Sequence, residues 1–412
     1  MERNDGQALP SLNCKRLEGE STFSGVAVNG VIEAHHQTLT PRQLRRSQRS
    51  LKRLSSKLWQ YYREHALSSE KLRQRAEAAF CVQKLLDYKL ENWAYMCICG
   101  STLIGNATTS SDLDVCLFTS LRPENGFEVC RNKQLKFLAQ IKEILLNQSS
   151  AISSALLIPA TVPTVQCVMK KFPGLIVNIN FGLVASVYSS HLLFHYAMID
   201  RRYVALNLLV KKWAQNCNVC NSEMGLLNSY SLSLMVINYL QCGTYPSPPV
   251  FPSLQELFPA CFTANRRVDE LFFFVDLLPL IDRSNSQCLG ELLLGFFWHY
   301  SQVVDFSRQV ISVRLGRRVD AVHGQHIFIE EPYQMTNVSS SITSQAAVLY
   351  IKARFKDAFN DLLFSQRFEI FEWMNNQARA TATSRAIHQW APPALCRKFN
   401  LLDPIKNKYR ER

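Results

Sequence analysis

A chain of 412 residues with 47% hydrophobic and 19% charged side chains can bury cores for two domains and is not a disordered polyelectrolyte. Its formal net charge of +13 favours a polyanionic partner, RNA, DNA or an anionic membrane, bound in a salt-sensitive way. The 13 cysteines are odd in number and lie in apolar stretches, which reads as reduced thiols in an intracellular protein. Cys217 and Cys220 form a lone Cys-x-x-Cys without the second pair that a structural zinc site needs. The start, Met1-Glu2-Arg3-Asn4-Asp5, lacks the apolar core of a secretory signal. The greasiest run, Leu271 to Ile281, is broken by Asp276 and Pro279 and too short to span a bilayer, so no membrane partner is expected.

Residues 1–38 show no sustained period and read as a flexible tail. Thr40-Pro41 opens a helix in which Leu44, Leu51, Leu54 and Leu58 share a face. Arg42, Arg45, Arg46, Arg49, Lys52, Arg53, Lys57 and Arg63 cover the rest, a pattern that suits a solvated face, a nuclear-localisation run or RNA contact. Ser68 and Ser69 cap a second helix with Leu72, Ala76, Ala79, Phe80 and Leu86 as its stripe. Short apolar runs at Tyr95–Ile98, Val115–Phe118, Thr164–Met169 and Leu175–Phe181 then predict strands, with a helix over Lys133–Leu146. After Ser190 the pattern turns helical, over Leu192–Trp213, Ser229–Leu240 and Glu291–Tyr300, with a late strand at Ile327-Phe328-Ile329. A small sheet followed by a helical domain predicts an α+β fold of two lobes with a cleft between them.

The densest chemistry lies between Cys99 and Leu117. Gly100-Ser101 directly follows a strand, where glycine allows close backbone approach and the serine hydroxyl with nearby N–H groups can hold phosphate oxygens. Ten loop residues later, Asp112 and Asp114 open the next strand two positions apart, so alternation puts both carboxylates on one face. Such a pair can bridge divalent cations, Mg²⁺ or Mn²⁺, shared with triphosphate oxygens, and two metals about 3.5–4 Å apart would clamp an in-line displacement.

From Gly100 to Asp114 the chain resembles, without a gap, the DNA-polymerase-beta-type nucleotidyltransferases, and within them the non-canonical cytoplasmic poly(A) polymerases of the germline-development type. Leu209-Val210-Lys211-Lys212-Trp213-Ala214 and Leu227-Asn228-Ser229-Tyr230-Ser231-Leu232 are similar to two further motifs of that family. The resemblance implies that Lys211 and Ser229 touch the triphosphate beside Gly100 and Ser101, and that the Tyr230 ring stacks on the base. Segments Leu289–Phe297 and Ile329–Tyr333 resemble the poly(A)-polymerase-associated region. Related uridylyltransferases carry a histidine before the asparagine of that region. Here Glu331-Pro332-Tyr333-Gln334-Met335-Thr336-Asn337 has none, which favours ATP over UTP.

Several positions depart, one of them in the expected metal site. The family's third aspartate, the metal ligand and base for the RNA 3′-hydroxyl, falls at Asn178, and an amide neither accepts a proton usefully nor brings charge to a cation. Gly182-Leu183, Ser189-Ser190 and Val204-Ala205 also differ from the family's residues. The resemblance implies a polymerase-beta-like mixed-sheet catalytic domain over 39–186 with its leading helices. A helical central domain over 187–395 would follow, including a poly(A)-polymerase-associated segment at about 288–342, and a basic tail over 396–412. The expected function is template-independent addition of AMP from ATP to an RNA 3′ end, slowed by Asn178. The alternatives are a catalytically dead RNA- or nucleotide-binding scaffold and, third, a uridylyltransferase. RNA-binding adaptor proteins would choose the substrate, in the cytoplasm and also in the nucleus.

Overall fold

The computed structural model describes residues 41–90, 95–118, 129–148, 150–160, 162–244, 247–272, 282–320, 324 and 326–365. The expected tails at 1–38 and 396–412, and most of the apolar run from Leu271 to Ile281, lie outside the described residues.

Helices α1 (Pro41–His65) and α2 (Ser69–Leu90) lead into strand β1 (Tyr95–Cys99), the short helix α3 (Gly100–Ile104), β2 (Leu113–Phe118) and α4 (Arg131–Leu146). Strands β3 (Ile152–Ile158), β4 (Thr164–Met169) and β5 (Ile176–Phe181) complete a five-stranded sheet of order β1-β2-β5-β4-β3. The sheet is mixed: β2 and β5 run parallel at its centre, and every other neighbouring pair is antiparallel. Alternation then sorts the two faces. Leu113, Val115, Leu117, Val177 and Ile179 bury themselves against Ala79 and Val82 of α2 and Leu138 and Ile141 of α4. The opposite face, with Cys97, Cys99 and Cys116, turns toward the helical lobe. β3 was not foreseen. It is an edge strand whose Ser153 and Ser154 are exposed, so it lacks a strong apolar run.

The helical lobe begins with α5 (Val184–Ile199) and α6 (Arg201–Asn216). Sequence periodicity predicts one helix from Leu192 to Trp213, whereas the chain breaks at Asp200, which has extended backbone at φ −144. Its Oδ1 accepts the Arg202 N–H at 2.8 Å, capping α6, and the Arg202 guanidinium returns to the same carboxylate. Helices α7 (Ser229–Cys242), α8 (Leu254–Leu257), α9 (Leu289–Trp298) and α10 (Gln345–Asn360) follow, with a second small sheet of β6 (Gln309–Ser312), β7 (Arg317–Asp320) and β8 (Phe328–Ile329) in order β7-β6-β8. Neither α10 nor the β6–β7 hairpin was foreseen. Trp213, Phe296, Phe297 and Phe355 pack ring against ring at the centre of this lobe. Among the described residues no helix is long and apolar enough to cross a membrane.

The first leading helix packs differently from the grouping its sequence position suggests. Leu51, Leu54 and Leu58 of α1 join the core of the helical lobe instead of the sheet's core. The close approach is made at Gly290, whose N–H donates to Ser55 Oγ at 2.7 Å. A Cβ there would stand 2.5 Å from the Leu51 carbonyl oxygen. Gly290→Ala therefore tests the seam. Helix propensity alone would stabilise by ~1 kcal/mol, but overpacking against backbone costs ~1–3 kcal/mol. A net loss in denaturant unfolding is expected, and an unchanged or raised midpoint would show that α1 yields instead.

Candidate active site

Strands β2 and β5 bring three side chains of the chemistry together. In the parallel register Asp114 lies beside Asn178, and the face they share carries Asp112 at the mouth of β2. The Asn178 amide sits between the carboxylates, its Nδ2 donating to Asp112 Oδ2 and Asp114 Oδ1, each at 3.1 Å. Asn178 Oδ1 is buried and has no hydrogen-bond partner among the described residues. Behind them stands Arg75 of α2, only 3% exposed, which donates to the carbonyls of Thr108 and Ser111 and so fixes the loop that delivers Asp112. Burial raises the Asp114 pKa; the Asn178 hydrogen bond opposes that rise, the Asp112 charge adds to it, and Arg75 and Lys211 oppose it.

The glycine–serine turn forms the floor. Gly100 has φ +66, a left-handed conformation that favours glycine, and a Cβ at this point would meet Asp114 Oδ2 at 2.8 Å. Its N–H is held by Ser190 Oγ of α5 at 2.9 Å. The Ser101 carbonyl accepts the N–H groups of Gly105, Asn106 and Ala107, which closes the loop on itself. Asn106 then links this loop to α6. In the amide orientation that satisfies its neighbours, Oδ1 accepts from Asn207 Nδ2 at 2.6 Å and Lys211 Nζ at 3.2 Å. Burial lowers the Lys211 pKa to about 8, against the opposing pull of Cys220 and Asp114.

The far wall belongs to α7 and the 331–338 segment. Asn228 caps α7 with Oδ1, accepting the Ser231 N–H at 2.7 Å, while its Nδ2 donates to the Val338 carbonyl at 2.9 Å. This starts α7 at Ser229 and Tyr230, at the edge of the cleft. Glu331, 4% exposed, gathers four donors: Ser189 Oγ (2.8 Å) and Tyr230 OH (3.1 Å) on Oε1, and the N–H groups of Tyr333 (2.7 Å) and Gln334 (2.6 Å) on Oε2. Burial and then the Glu331 carboxylate push the Tyr230 hydroxyl well above its ordinary pKa.

A cleft of about 1000 Å³ is lined by Gly100, Ser101, Asp114, Lys211, Ser229 and Tyr230. Asp112 and Asn178 stand beside Asp114, tied in by the amide. All eight residues singled out from sequence thus meet in one place. Sequence reading missed Arg75 and Asn106 and gave Glu331, although it stands in a quoted motif, no role; partners of all three lie far along the chain.

Two hard anionic oxygen donors beside an open cleft fit one divalent cation that would complete its shell with phosphate oxygens and water. The third position does not match. Asn178 offers the pair an amide N–H₂, a donor and not a ligand, and its orphaned Oδ1 is a neutral oxygen that faces the carboxylates only after the amide turns over.

Residues 54–198 match the model for the central palm domain of mitochondrial-like poly(A) RNA polymerases. The chain is 33% identical over 261 residues to poly(A) RNA polymerase GLD2 of Danio rerio, covering 62% of this chain and 52% of that protein. It is 31% identical over 270 residues to the GLD2 of Homo sapiens, covering 64% and 55% respectively. The chain thus spans about half the length of these curated relatives. A solved structure of a GLD-2/RNP-8 complex matches with a TM-score of 0.66 at 27% identity, over 79% of this chain and 98% of that one. A cytoplasmic RNA terminal U-transferase shares the fold, with a TM-score of 0.61 at 24% identity over 76% and 94%. The polymerase-beta-like fold and the resemblance to germline-development poly(A) polymerases are both borne out.

Two outcomes follow from this geometry. A Lys211 pKa lowered to about 8 predicts that a triphosphate held by its ammonium is bound more weakly as pH rises, by roughly tenfold between pH 7 and 9. Calorimetry with a non-hydrolysable ATP analogue measures this, and Lys211→Arg, permanently charged, should flatten the profile. Gly100→Ala should weaken the same binding, because the methyl strikes Asp114 and the backbone must leave φ +66; unaltered affinity would show that the cradle does not touch phosphate.

Proposed function

We propose that this chain, a polymerase-beta-like nucleotidyltransferase in fold, is a template-independent adenylyltransferase that extends RNA 3′ ends with AMP from ATP. The observation that carries the reading is the convergence of a glycine–serine turn, a carboxylate pair, a half-buried lysine and a tyrosine on one cleft. Ser101, Lys211 and Ser229, with the Gly100 backbone, hold the triphosphate, and the Tyr230 ring, fixed through its hydroxyl by Glu331, stacks on the adenine. Asp112 and Asp114 would hold Mg²⁺ or Mn²⁺, which supplies charge neutralisation at the phosphates. Gln334 and Thr336 line the cleft where related uridylyltransferases have a histidine, which supports ATP over UTP.

Asn178 sets the rate. No carboxylate stands at its position to take the proton from the RNA 3′-hydroxyl, and loss of a general base typically costs ~10²–10⁴-fold. The bridging amide therefore also favours a second reading, in which the protein binds nucleotide and RNA without joining them. In either case RNA selection falls to RNA-binding adaptor proteins, a reading supported by the GLD-2/RNP-8 complex among the structural neighbours. Cytoplasm is the proposed compartment, with the nucleus second.

A labelled oligo(A) primer incubated with Mg²⁺ or Mn²⁺ and each nucleoside triphosphate in turn tests the proposal. ATP-dependent laddering that disappears in Asp112→Ala supports it, and UTP-dependent laddering overturns the base assignment. Nucleotide binding without extension establishes the second reading. Asn178→Asp should raise the extension rate by ~10²–10⁴-fold, and a variant no faster than the parent would remove Asn178 as the cause.

A further inference from the structure

Helix α1 carries cations that the site chemistry leaves unused, and their arrangement is directional. Arg49, Arg53, Lys57, Tyr61 and His65 follow one another at four-residue spacing, so they form one continuous ridge along the helix. The first three are exposed, as is Lys52, one turn on from Arg49. No acidic residue occurs in α1 before Glu64, whose Oε1 accepts from Gln60. The last two members of the ridge line the cleft, with their rings stacked 3.8 Å apart. Tyr61 is buried, so it backs the half-buried His65 ring. Immediately beyond, Ala66 pairs with Thr108, and the Leu67 N–H donates to the Ala107 carbonyl at 3.3 Å. The helix therefore ends on the same loop that joins Ser101 to Asp112.

We infer that this ridge is the track for the acceptor strand, a single-stranded RNA whose backbone phosphates lie on Arg49, Arg53 and Lys57 and whose base near the 3′ end stacks on His65. The inference rests on the reading that RNA is the acceptor. From Arg49 to His65 the ridge covers about 24 Å at ~1.5 Å per residue, a length in the range of a single-strand site of several nucleotides. Cations in a row followed by an aromatic platform match backbone tracking and base stacking. An anionic membrane fits poorly, because the exposed positions between Lys52 and Glu64 are Lys, Arg, Ser, Lys, Gln, Arg and Glu, with no apolar side chain to enter a bilayer.

Fluorescence anisotropy with end-labelled oligo(A) provides the test and needs no nucleotide addition. The double variant Arg49→Glu/Arg53→Glu should lose at least tenfold in affinity for an oligomer of about 15 nucleotides. Its log K against log salt slope should become shallower by about 1.4 for two lost phosphate contacts. An oligomer of about four nucleotides, confined to the cleft mouth, should bind as it does to the parent, whereas His65→Ala should weaken both oligomers. The control Lys133→Glu/Lys136→Glu reverses two exposed charges on α4. ATP-analogue affinity, measured alongside, should be unchanged in the double variant, which shows that the fold and nucleotide site are intact. Equal losses in the control, an undiminished affinity for the longer oligomer, or loss of binding to anionic vesicles in place of RNA would each overturn the inference. If the chain proves unable to extend a primer, this binding experiment still decides whether the ridge holds RNA.

Discussion

Two carboxylates crowded onto one strand face need positive charge between or around them, and the whole site is arranged about that need. Asp112 and Asp114 are drawn together by the Asn178 amide, which donates one hydrogen bond to each. Arg75 from behind and Lys211 from across the cleft supply two cationic charges against the two anionic ones. The group is therefore near neutrality without any added cation. An aspartate at 178 would remove the donor, add a third anion and leave a surplus that only a cation could offset. Substituting the amide changes more than one ligand: it removes a negative charge and sets hydrogen-bond donors between the two carboxylates, while its own Oδ1 is left without a partner among the described residues.

The second organising element is the Glu331 carboxylate. Its four donors come from α5, from α7 and from its own loop, so it joins the Tyr230 wall of the cleft to the helix that leaves the sheet. Neighbouring Glu330 is itself paired to Arg314 at 2.7 Å, which anchors the same loop to the small second sheet. A buried carboxylate in this position is stable because every lone pair direction it presents is met by an N–H or O–H. The Tyr230 hydroxyl is consequently held by a carboxylate that is itself fully paired.

Much of this was legible in the sequence, and for a definite reason. The glycine–serine turn, the Asp-x-Asp pair and the amide at 178 are local patterns on short apolar strands, where alternation alone decides which side chains share a face. Strands β1, β2, β4 and β5 declared themselves in the same way. The edge strand β3 did not, because serines interrupt its apolar run, and the break at Asp200 was hidden inside a helix-like period that continues across it. Asn106 and Arg75 could not be read at all, and Glu331 stood in a legible motif without a role, since each matters through partners brought near only by folding. The docking of α1 on the helical lobe was equally invisible, being decided by the absence of a side chain at Gly290, 235 residues from the Ser55 hydroxyl it meets.

Adjacent serines on α5 reach in different directions. Ser190 accepts the Gly100 N–H at the glycine–serine turn, and Ser189 donates to the Glu331 carboxylate that holds the Tyr230 hydroxyl. One helix therefore ties together two walls of the cleft. A displacement of that helix would act on the glycine–serine turn and on the Glu331 loop together, through one hydrogen bond to each.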